Sequence, residues 1–135
     1  MAVHVLNQTA EYALHAALYI AAHGEGRAVS ADEISTALTI SPSYLAKTLQ
    51  VLVKEGILTS ERGRTGGFRL AVPPHKLFLE SIVAPFEEDP ARRHCLLGGA
   101  VCSDRTACVA HHAWKATAER IAEFFRTTTL AALQG

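Results

Sequence analysis

The spacing of apolar residues in the first part of the chain predicts three helices. Alanine and leucine recur at helical spacing from about Asn7 to Ala22, and the glycines that follow end this first helix. A second helix begins after Ser30, because Ser30 and Glu33 have the spacing of a capping box. A third begins at Ser41-Pro42, since proline at the first helical position lacks only an amide hydrogen that would be unpaired there.

The residues after the third helix predict a β-hairpin. This helix ends at Gly56, and two runs with strand character, Ile57–Ser60 and Phe68–Val72, follow it. The segment between them, Glu61–Gly67, is rich in glycine and can adopt positive backbone angles. A short connection between the second and third helices, followed by a hairpin, is typical of a winged helix-turn-helix domain.

A short helix from about Lys76 to Pro85 and a long one from about Ala107 to Leu130 complete the pattern. One side of the long helix carries apolar residues about every three and a half positions: Trp114, Ala118, Ile121 and Phe125. This apolar side is too long for a small domain to cover. We expect it to pair with a second copy of the chain, because symmetric dimers are the commonest oligomers; packing within one protomer is the alternative.

The expected fold is mainly α with a small β-hairpin wing. It consists of a winged helix-turn-helix domain at residues 1–85, a loop at residues 86–106, and a dimerisation helix with a C-terminal tail at residues 107–135. A chain of 135 residues with 49% hydrophobic and 19% charged residues suits one folded domain. No apolar run reaches the roughly 20 residues of a membrane span, and the N-terminus lacks a signal-peptide pattern. We therefore expect a cytoplasmic protein without membrane association.

Basic residues are concentrated in the predicted third helix and hairpin, although the net charge of the whole chain is +0. Such a helix enters the major groove of double-stranded DNA, and a wing contacts phosphates or the minor groove. Ser41, the expected cap of the third helix, begins the expected interface. The other residues expected there are Pro42, Ser43, Tyr44, Lys47 and Thr48, expected to be exposed on the helix, and Arg62, Arg64, Thr65, Gly66 and Gly67 on the wing. The two adjacent glycines are expected to let the backbone approach DNA closely. A protein-interaction module is the alternative for this fold.

All three cysteines lie in one segment, with the spacing C-x6-C-x5-C: Cys95, Cys102 and Cys108. In an intracellular protein such a group favours metal binding or redox chemistry over structural disulfides. Thiolates suit iron–sulfur clusters and zinc, although zinc sites usually have more closely spaced cysteine pairs. The residues alone leave open a cluster, zinc, a metal-free thiol switch, or thiols without a sensory role. No set of residues predicts a catalytic pocket, a phosphate-binding loop or a dinucleotide site, so we expect no enzyme.

Three motifs resemble the IscR/NsrR family of bacterial winged-helix transcription regulators. They are Ser41-Pro-Ser-Tyr-Leu-Ala-Lys47, Glu55-Gly-Ile-Leu58 and Ser60-Glu-Arg-Gly-Arg-Thr-Gly-Gly-Phe-Arg-Leu-Ala71. The resemblance extends from the first helix to Leu130. It implies a homodimer joined by the long helix, a dyad-symmetric operator, base contacts by Ser43 and its neighbours, and a minor-groove contact by Arg62. A family member has a glutamate where Ala46 stands here, so the operator sequence does not carry over.

The same resemblance implies an iron–sulfur cluster, 2Fe–2S or 4Fe–4S, held by the three cysteines, although the family often has five residues in both intervals. Two residues compete for the fourth ligand position. His111 lies in Cys108-Val-Ala-His-His-Ala-Trp114, and Glu11 lies in Glu11-Tyr-Ala-Leu-His15, a motif from which related sensors donate a carboxylate across the dimer. We expect a regulator, of the repressor type, that responds to redox state, nitric oxide or cluster supply. A metal-free regulator that responds through its thiols, a small molecule or a partner protein is the alternative.

Overall fold

The computed structural model describes residues 5–87 and 110–134. This part of the chain contains five α-helices and one antiparallel hairpin, which confirms the expected winged-helix fold. The elements are α1 (Gln8–His23), α2 (Ala31–Leu38), α3 (Pro42–Lys54), β1 (Leu58–Glu61), β2 (Gly67–Leu70), α4 (Leu79–Val83) and α5 (His111–Thr127), with short 3-10 helices at Pro74–Lys76, Ala84–Phe86 and Ala131–Leu133. None of these helices is long and apolar enough to cross a membrane.

Helix α1 lies at the centre of the fold and packs against α2, α3, α4 and β2. Asn7 caps its first turn, because the Asn7 side-chain oxygen accepts a hydrogen bond of 2.8 Å from the amide of Ala10. Its buried side consists mainly of alanine: Ala10, Ala13, Ala16, Ala17 and Ile20. Small side chains let neighbouring helices approach closely, so α1 serves as the common support for the other elements.

The start of α2 is joined to α1 through Glu33. The Ser30 hydroxyl accepts from the Glu33 amide at 3.1 Å, as the capping-box spacing predicts. The Glu33 carboxylate binds elsewhere, however, accepting two hydrogen bonds from Arg27 at 2.9 and 2.8 Å and one from the Tyr19 hydroxyl at 2.7 Å. The hydrogen bonds from Arg27 and, to a smaller extent, from Tyr19 stabilise the ionised carboxylate and lower the pKa of Glu33 from 4.5 to about 2. The stabilisation from this ionised carboxylate is therefore complete above pH 4.5 and is lost as the pH falls towards 2.

The hairpin is attached to the helical part of the domain by an isolated β-bridge at Val29. Within the hairpin, Leu58 pairs with Leu70 and Glu61 pairs with Gly67. Val29, in the connection between α1 and α2, exchanges two backbone hydrogen bonds with Phe68, at 2.9 and 2.8 Å. The wing is therefore attached to the rest of the domain by backbone pairing close to its tip.

The C-terminal end of the chain differs from the predicted long helix. Helix α5 ends at Thr127 instead of continuing to Leu130, because the next residues are extended and pair with residues 77–79. The Leu79 amide donates to the Thr128 carbonyl at 3.0 Å, and the Leu130 amide donates to the Leu77 carbonyl at 2.8 Å. The same pairing divides the short helix predicted at Lys76–Pro85, since residues 77 and 78 are extended between a 3-10 helix and α4.

Leu130 belongs to the core of the winged-helix domain. Its side chain is fully buried in one cluster with Leu77, Leu79 and Ile82. The residues that follow α5 therefore pack in the same core as α1 and α4, which attaches the C-terminal end of α5 to the domain that carries α3. The domain boundary expected at residue 85 stays a prediction.

Leu130→Ala is expected to destabilise the protein by about 2–5 kcal/mol, because the substitution leaves a cavity in a core without solvent access. Leu133→Ala is the matched control, since Leu133 is 41% exposed and only three residues away. Urea unfolding followed by circular dichroism measures both changes. Equal and small effects of the two substitutions would show that the tail does not complete the core.

Candidate nucleic-acid interface

The connection between α2 and α3 fixes the angle at which α3 leaves the domain. Thr39 has left-handed backbone angles, with φ 54°, and turns the chain at the end of α2. Ser35 then holds Ile40 twice: the Ser35 hydroxyl donates to the Ile40 carbonyl at 2.5 Å, and the Ile40 amide donates to the Ser35 carbonyl at 3.1 Å. This compact turn is the central part of a helix-turn-helix.

One side of α3 is buried and holds the helix on the domain. Leu45, Leu49 and Leu52 have no exposed surface. Thr48 lies on the same side and is 2% exposed, and its hydroxyl donates to the Tyr44 carbonyl at 3.2 Å. The expectation that Thr48 is exposed is therefore wrong. Position 48 is three residues after Leu45 and four before Leu52, a spacing that places all three on one side of a helix.

The opposite side of α3 is open to solvent. Pro42, Ser43 and Lys47 are exposed there, as expected, and Ser41 is exposed at the start of the helix. The Ser41 hydroxyl lies 3.2 Å from the Ser43 hydroxyl and does not cap the helix. Ala46 and Gln50 are also exposed on this side, although the sequence interpretation did not select them. The spacing from Ser43 to Lys47 to Gln50 follows one helical stripe and is the signal that would have found Gln50.

Tyr44 is exposed but is also bound to α1. The ring is 38% exposed, and its edge-to-face contact with Tyr12 has a centroid distance of 5.4 Å. The Tyr44 hydroxyl forms a hydrogen bond with the Thr9 hydroxyl. Tyr44 is thus an expected DNA-contacting residue whose side chain joins α3 to α1.

The tip of the wing is basic and exposed. Arg62, Arg64 and Thr65 all face solvent. Among the described residues, no ion pair or hydrogen bond engages the side chains of Arg62, Arg64 or Lys47, whereas Arg69 is bound to Glu61 at 2.6 Å. The free cations of this region are therefore on the exposed side of α3 and at the wing tip, which are the two elements that contact DNA in a winged helix.

Gly66 and Gly67 are required by the fold of the wing itself. A Cβ atom on Gly67 would lie 2.4 Å from the Val29 carbonyl oxygen, and one on Gly66 would lie 2.3 Å from the Glu61 carbonyl oxygen. Gly67 also has φ +151°, a conformation that favours glycine. The close approach made by these glycines is to their own protein; an approach to DNA stays a prediction.

The candidate metal ligands lie mostly outside the described residues, where Cys95, Cys102 and Cys108 are found. His111 is the first residue of α5. Glu11 lies in the first turn of α1, where it is partly buried and already engaged by another residue. Residues 5–87 and 110–134 contain no group of three or more side chains arranged to hold a metal ion.

Two buried polar atoms lie on either side of the cysteine segment in the sequence. Oε1 of Glu87 and Nε1 of Trp114 have no hydrogen-bond partner among the described residues. Glu87 is the last described residue before the segment, and Trp114 lies in the first turn of α5. Because a buried polar atom without a partner is costly, both atoms require a polar neighbour. The identity of that polar neighbour stays a prediction.

These features define a helix-turn-helix protein with a wing and an exposed basic surface. The sequence matches the Rrf2 family, described as iron-dependent transcriptional regulators, over residues 6–135, and the chain belongs to this family. This match confirms the family resemblance seen in the motifs of the chain. As a member of this family the chain is a transcription regulator and not an enzyme.

Known relatives agree with this assignment. The chain is 32% identical to the transcriptional regulator IscR of Vibrio campbellii over 128 residues, which cover 95% of this chain and 76% of the relative. Among solved structures, IscR of T. potens has a TM-score of 0.74 and 26% identity, with 95% of this chain and 84% of that one covered. The cysteine regulator CymR of B. subtilis has a TM-score of 0.78 and 21% identity, with 99% and 97% covered, a likeness of fold alone.

Gly67→Ala is expected to displace the wing, because the added methyl group meets the backbone of Val29. Gly63→Ala is the control: Gly63 also has a positive φ, +104°, but a Cβ there meets no atom within 4 Å. Each substitution adds backbone strain of about 1–3 kcal/mol, and only Gly67→Ala adds the clash. Hydrogen exchange of the Val29 and Phe68 amides measures the difference. Equal protection in the two variants would contradict the proposed anchoring of the wing.

Proposed function

We propose that the protein is a dimeric transcription regulator that binds a dyad-symmetric operator through α3 and the wing, and that an iron–sulfur cluster on its cysteine segment controls this binding. The observation that carries the DNA-binding part is the set of free cations. Lys47, Arg62 and Arg64 are exposed and unpaired among the described residues, while the other arginines of the domain, Arg27 and Arg69, are bound to glutamates.

The exposed side of α3 has the chemistry needed to read DNA bases. Ser43, Lys47 and Gln50 carry hydrogen-bonding groups and lie on one stripe of the helix, with Ser41 and Pro42 at its start. Hydroxyl, ammonium and amide groups bind base edges in the major groove. Arg62 and Arg64 at the wing tip suit phosphates or a narrow minor groove, where the negative potential attracts arginine.

Helix α5 is the proposed dimer contact. Phe124 is 48% exposed and packs edge-to-face against Phe125, with ring centroids 5.4 Å apart. Together with Ile121 and Val5 these rings line an open apolar depression on one side of the helix. A second copy of α5 is the occupant that we propose, because a twofold axis brings the same apolar surface from each protomer together.

The cysteine segment is the proposed cluster site. Cys95, Cys102 and Cys108 would supply three thiolates, and Glu11 or His111 would supply the fourth ligand. The family's description as iron-dependent regulators and the IscR relatives support iron over zinc. The unpartnered atoms of Glu87 and Trp114 support a polar group beside this segment. When bound, an iron–sulfur cluster supplies iron–thiolate bonds that oxidants and nitric oxide attack.

A cluster can control DNA binding only if the conformation that binds DNA and the conformation that does not bind DNA differ in their affinity for the cluster. Any ligand shifts a conformational equilibrium only by its differential affinity for the two conformations. Ligation by Glu11 would join α1 to the cysteine segment, and α1 supports α3 directly. The position of the recognition surface would then depend on whether the thiolates and Glu11 are held together.

Alanine at Lys47, Arg62 or Arg64 is expected to weaken binding to a duplex that the wild-type protein selects from a random-sequence pool. Each substitution that removes a phosphate contact should also lower the slope of log affinity against log salt by about 1. Arg126→Ala, which removes an exposed cation from α5, is the control and should leave both quantities unchanged. Unchanged affinity and slope in all three variants would refute DNA binding by this surface.

The duplexes that the wild-type protein selects should contain two inverted half-sites about 10 base pairs apart. Selection of single, unrepeated half-sites would contradict the dimer.

Anaerobically purified protein is expected to be coloured, with visible absorption and with iron and sulfide in equal amounts. Alanine at Cys95, Cys102 or Cys108 should abolish the absorption. Glu11→Gln and His111→Gln distinguish the candidate fourth ligands, because only the true ligand should alter the spectrum and speed the loss of iron to a chelator. A colourless, iron-free wild-type preparation that binds the selected duplex would instead favour a metal-free regulator.

A further inference from the structure

The first turn of α1 makes two side-chain connections that the proposed DNA contacts do not use. One runs from Thr9, with Tyr12 in the next turn, to Tyr44 on α3. The other runs from Asn7, the cap of α1, to the carbonyl of Phe86. We propose that this turn is a positioning device, in which Tyr44 acts through Thr9 to set the pose of the recognition helix and Asn7 makes that pose depend on Phe86. The inference rests on the proposed binding of DNA by α3.

The connection to α3 has two parts. The Tyr44 hydroxyl shares a hydrogen bond with Thr9, 35 positions earlier in the chain, and the Tyr44 ring packs at 87° against the ring of Tyr12. Tyr44 is the third residue of α3 and follows Ser43 directly. Its side chain therefore adds a second attachment, beside the buried Leu45, at the end of α3 that is proposed to enter the major groove.

The connection to Phe86 uses the residue that caps α1. The Asn7 side-chain oxygen accepts from the Ala10 amide at 2.8 Å, and its nitrogen donates to the Phe86 carbonyl at 2.6 Å. One side chain thus holds the start of α1 and the end of the 3-10 helix Ala84–Phe86. Phe86 stands nine positions before Cys95, so Asn7 binds the chain on the approach to the cysteine segment.

A hydrogen bond between exposed groups contributes little to stability but can determine geometry. A net hydrogen bond corresponds to about a three- to tenfold change in an equilibrium constant. Sequence-specific binding is sensitive to small displacements of the groups that contact base edges. Nonspecific binding to the phosphate backbone tolerates such displacements. The positioning device should therefore affect affinity for the selected duplex more than affinity for a duplex of random sequence.

The test is a double-mutant cycle on the full-length protein, purified anaerobically and measured on the duplex selected by wild type. Tyr44→Phe removes the hydroxyl and retains the ring contact with Tyr12, and Thr9→Val removes the other hydroxyl without changing the side-chain shape. Each should weaken specific binding about three- to tenfold. The double variant should bind no more weakly than the weaker single variant, because both remove the same hydrogen bond. Affinity for a random-sequence duplex should remain as in wild type, and the urea midpoint should fall by no more than the loss of one hydrogen bond.

Asn7→Asp tests the second connection. Aspartate retains the oxygen that caps α1 but lacks the amide group that donates to Phe86. It should lower specific affinity as Tyr44→Phe does, and should have no further effect when combined with Thr9→Val. Wild-type specific affinity in Asn7→Asp would remove Phe86 from the device.

Three results would overturn the inference. If Tyr44→Phe weakens binding and Thr9→Val does not, the Tyr44 hydroxyl contacts DNA directly. Additive effects of the two substitutions, or equal losses on selected and random duplexes, would also contradict positioning. These results can be distinguished from failure of the proposed function. If α3 and the wing do not bind DNA, Lys47→Ala and Arg62→Ala would leave binding unchanged as well.

Discussion

The packing of α3 against the alanine side of α1 is the interaction on which the rest of the structure depends. Leu45, Leu49 and Leu52 are fully buried, and α1 presents a row of small buried residues on its packed side. Each buried leucine contributes about 1.5–3 kcal/mol relative to an exposed one. Because the apolar side of α3 is committed to this contact, its polar side must face solvent.

This constraint explains why the candidate interface consists of two separate elements. Helix α3 presents Ser43, Lys47 and Gln50, and the wing presents Arg62 and Arg64. Backbone pairing of Val29 with Phe68 attaches the wing to the segment that leads into α2. The distance between the two basic elements is therefore determined by backbone hydrogen bonds and by a core of leucine and alanine. A fixed separation is what recognition of a groove and an adjacent phosphate backbone requires.

Local signals were sufficient to predict the first three helices and the hairpin, because Asn7, Ser30 and Pro42 mark helix starts within a few residues of their effects. The end of α5 was not predictable in this way, since Thr128 and Leu130 pair with residues about fifty positions earlier. Thr48 was misjudged although its spacing from the leucines indicated burial. The bond between Tyr44 and Thr9 had no sequence signal, because it depends on how α1 and α3 cross. The cysteine segment was identified from composition and family motifs, and its ligands remain predictions.

The described chain before the cysteine segment and the chain after α5 are both attached to the winged-helix domain, which gives the proposed sensing a physical basis. Asn7 binds Phe86 before the segment, and Leu130 enters the core after α5. The most direct measurement is the anaerobic affinity for the selected duplex of cluster-loaded protein, of the same protein after removal of iron, and of the variant with alanine at Cys95, Cys102 and Cys108. We expect the affinity of the cluster-loaded protein to differ from the affinities of the other two preparations, which should agree with each other. Equal affinity of all three would contradict control by a cluster.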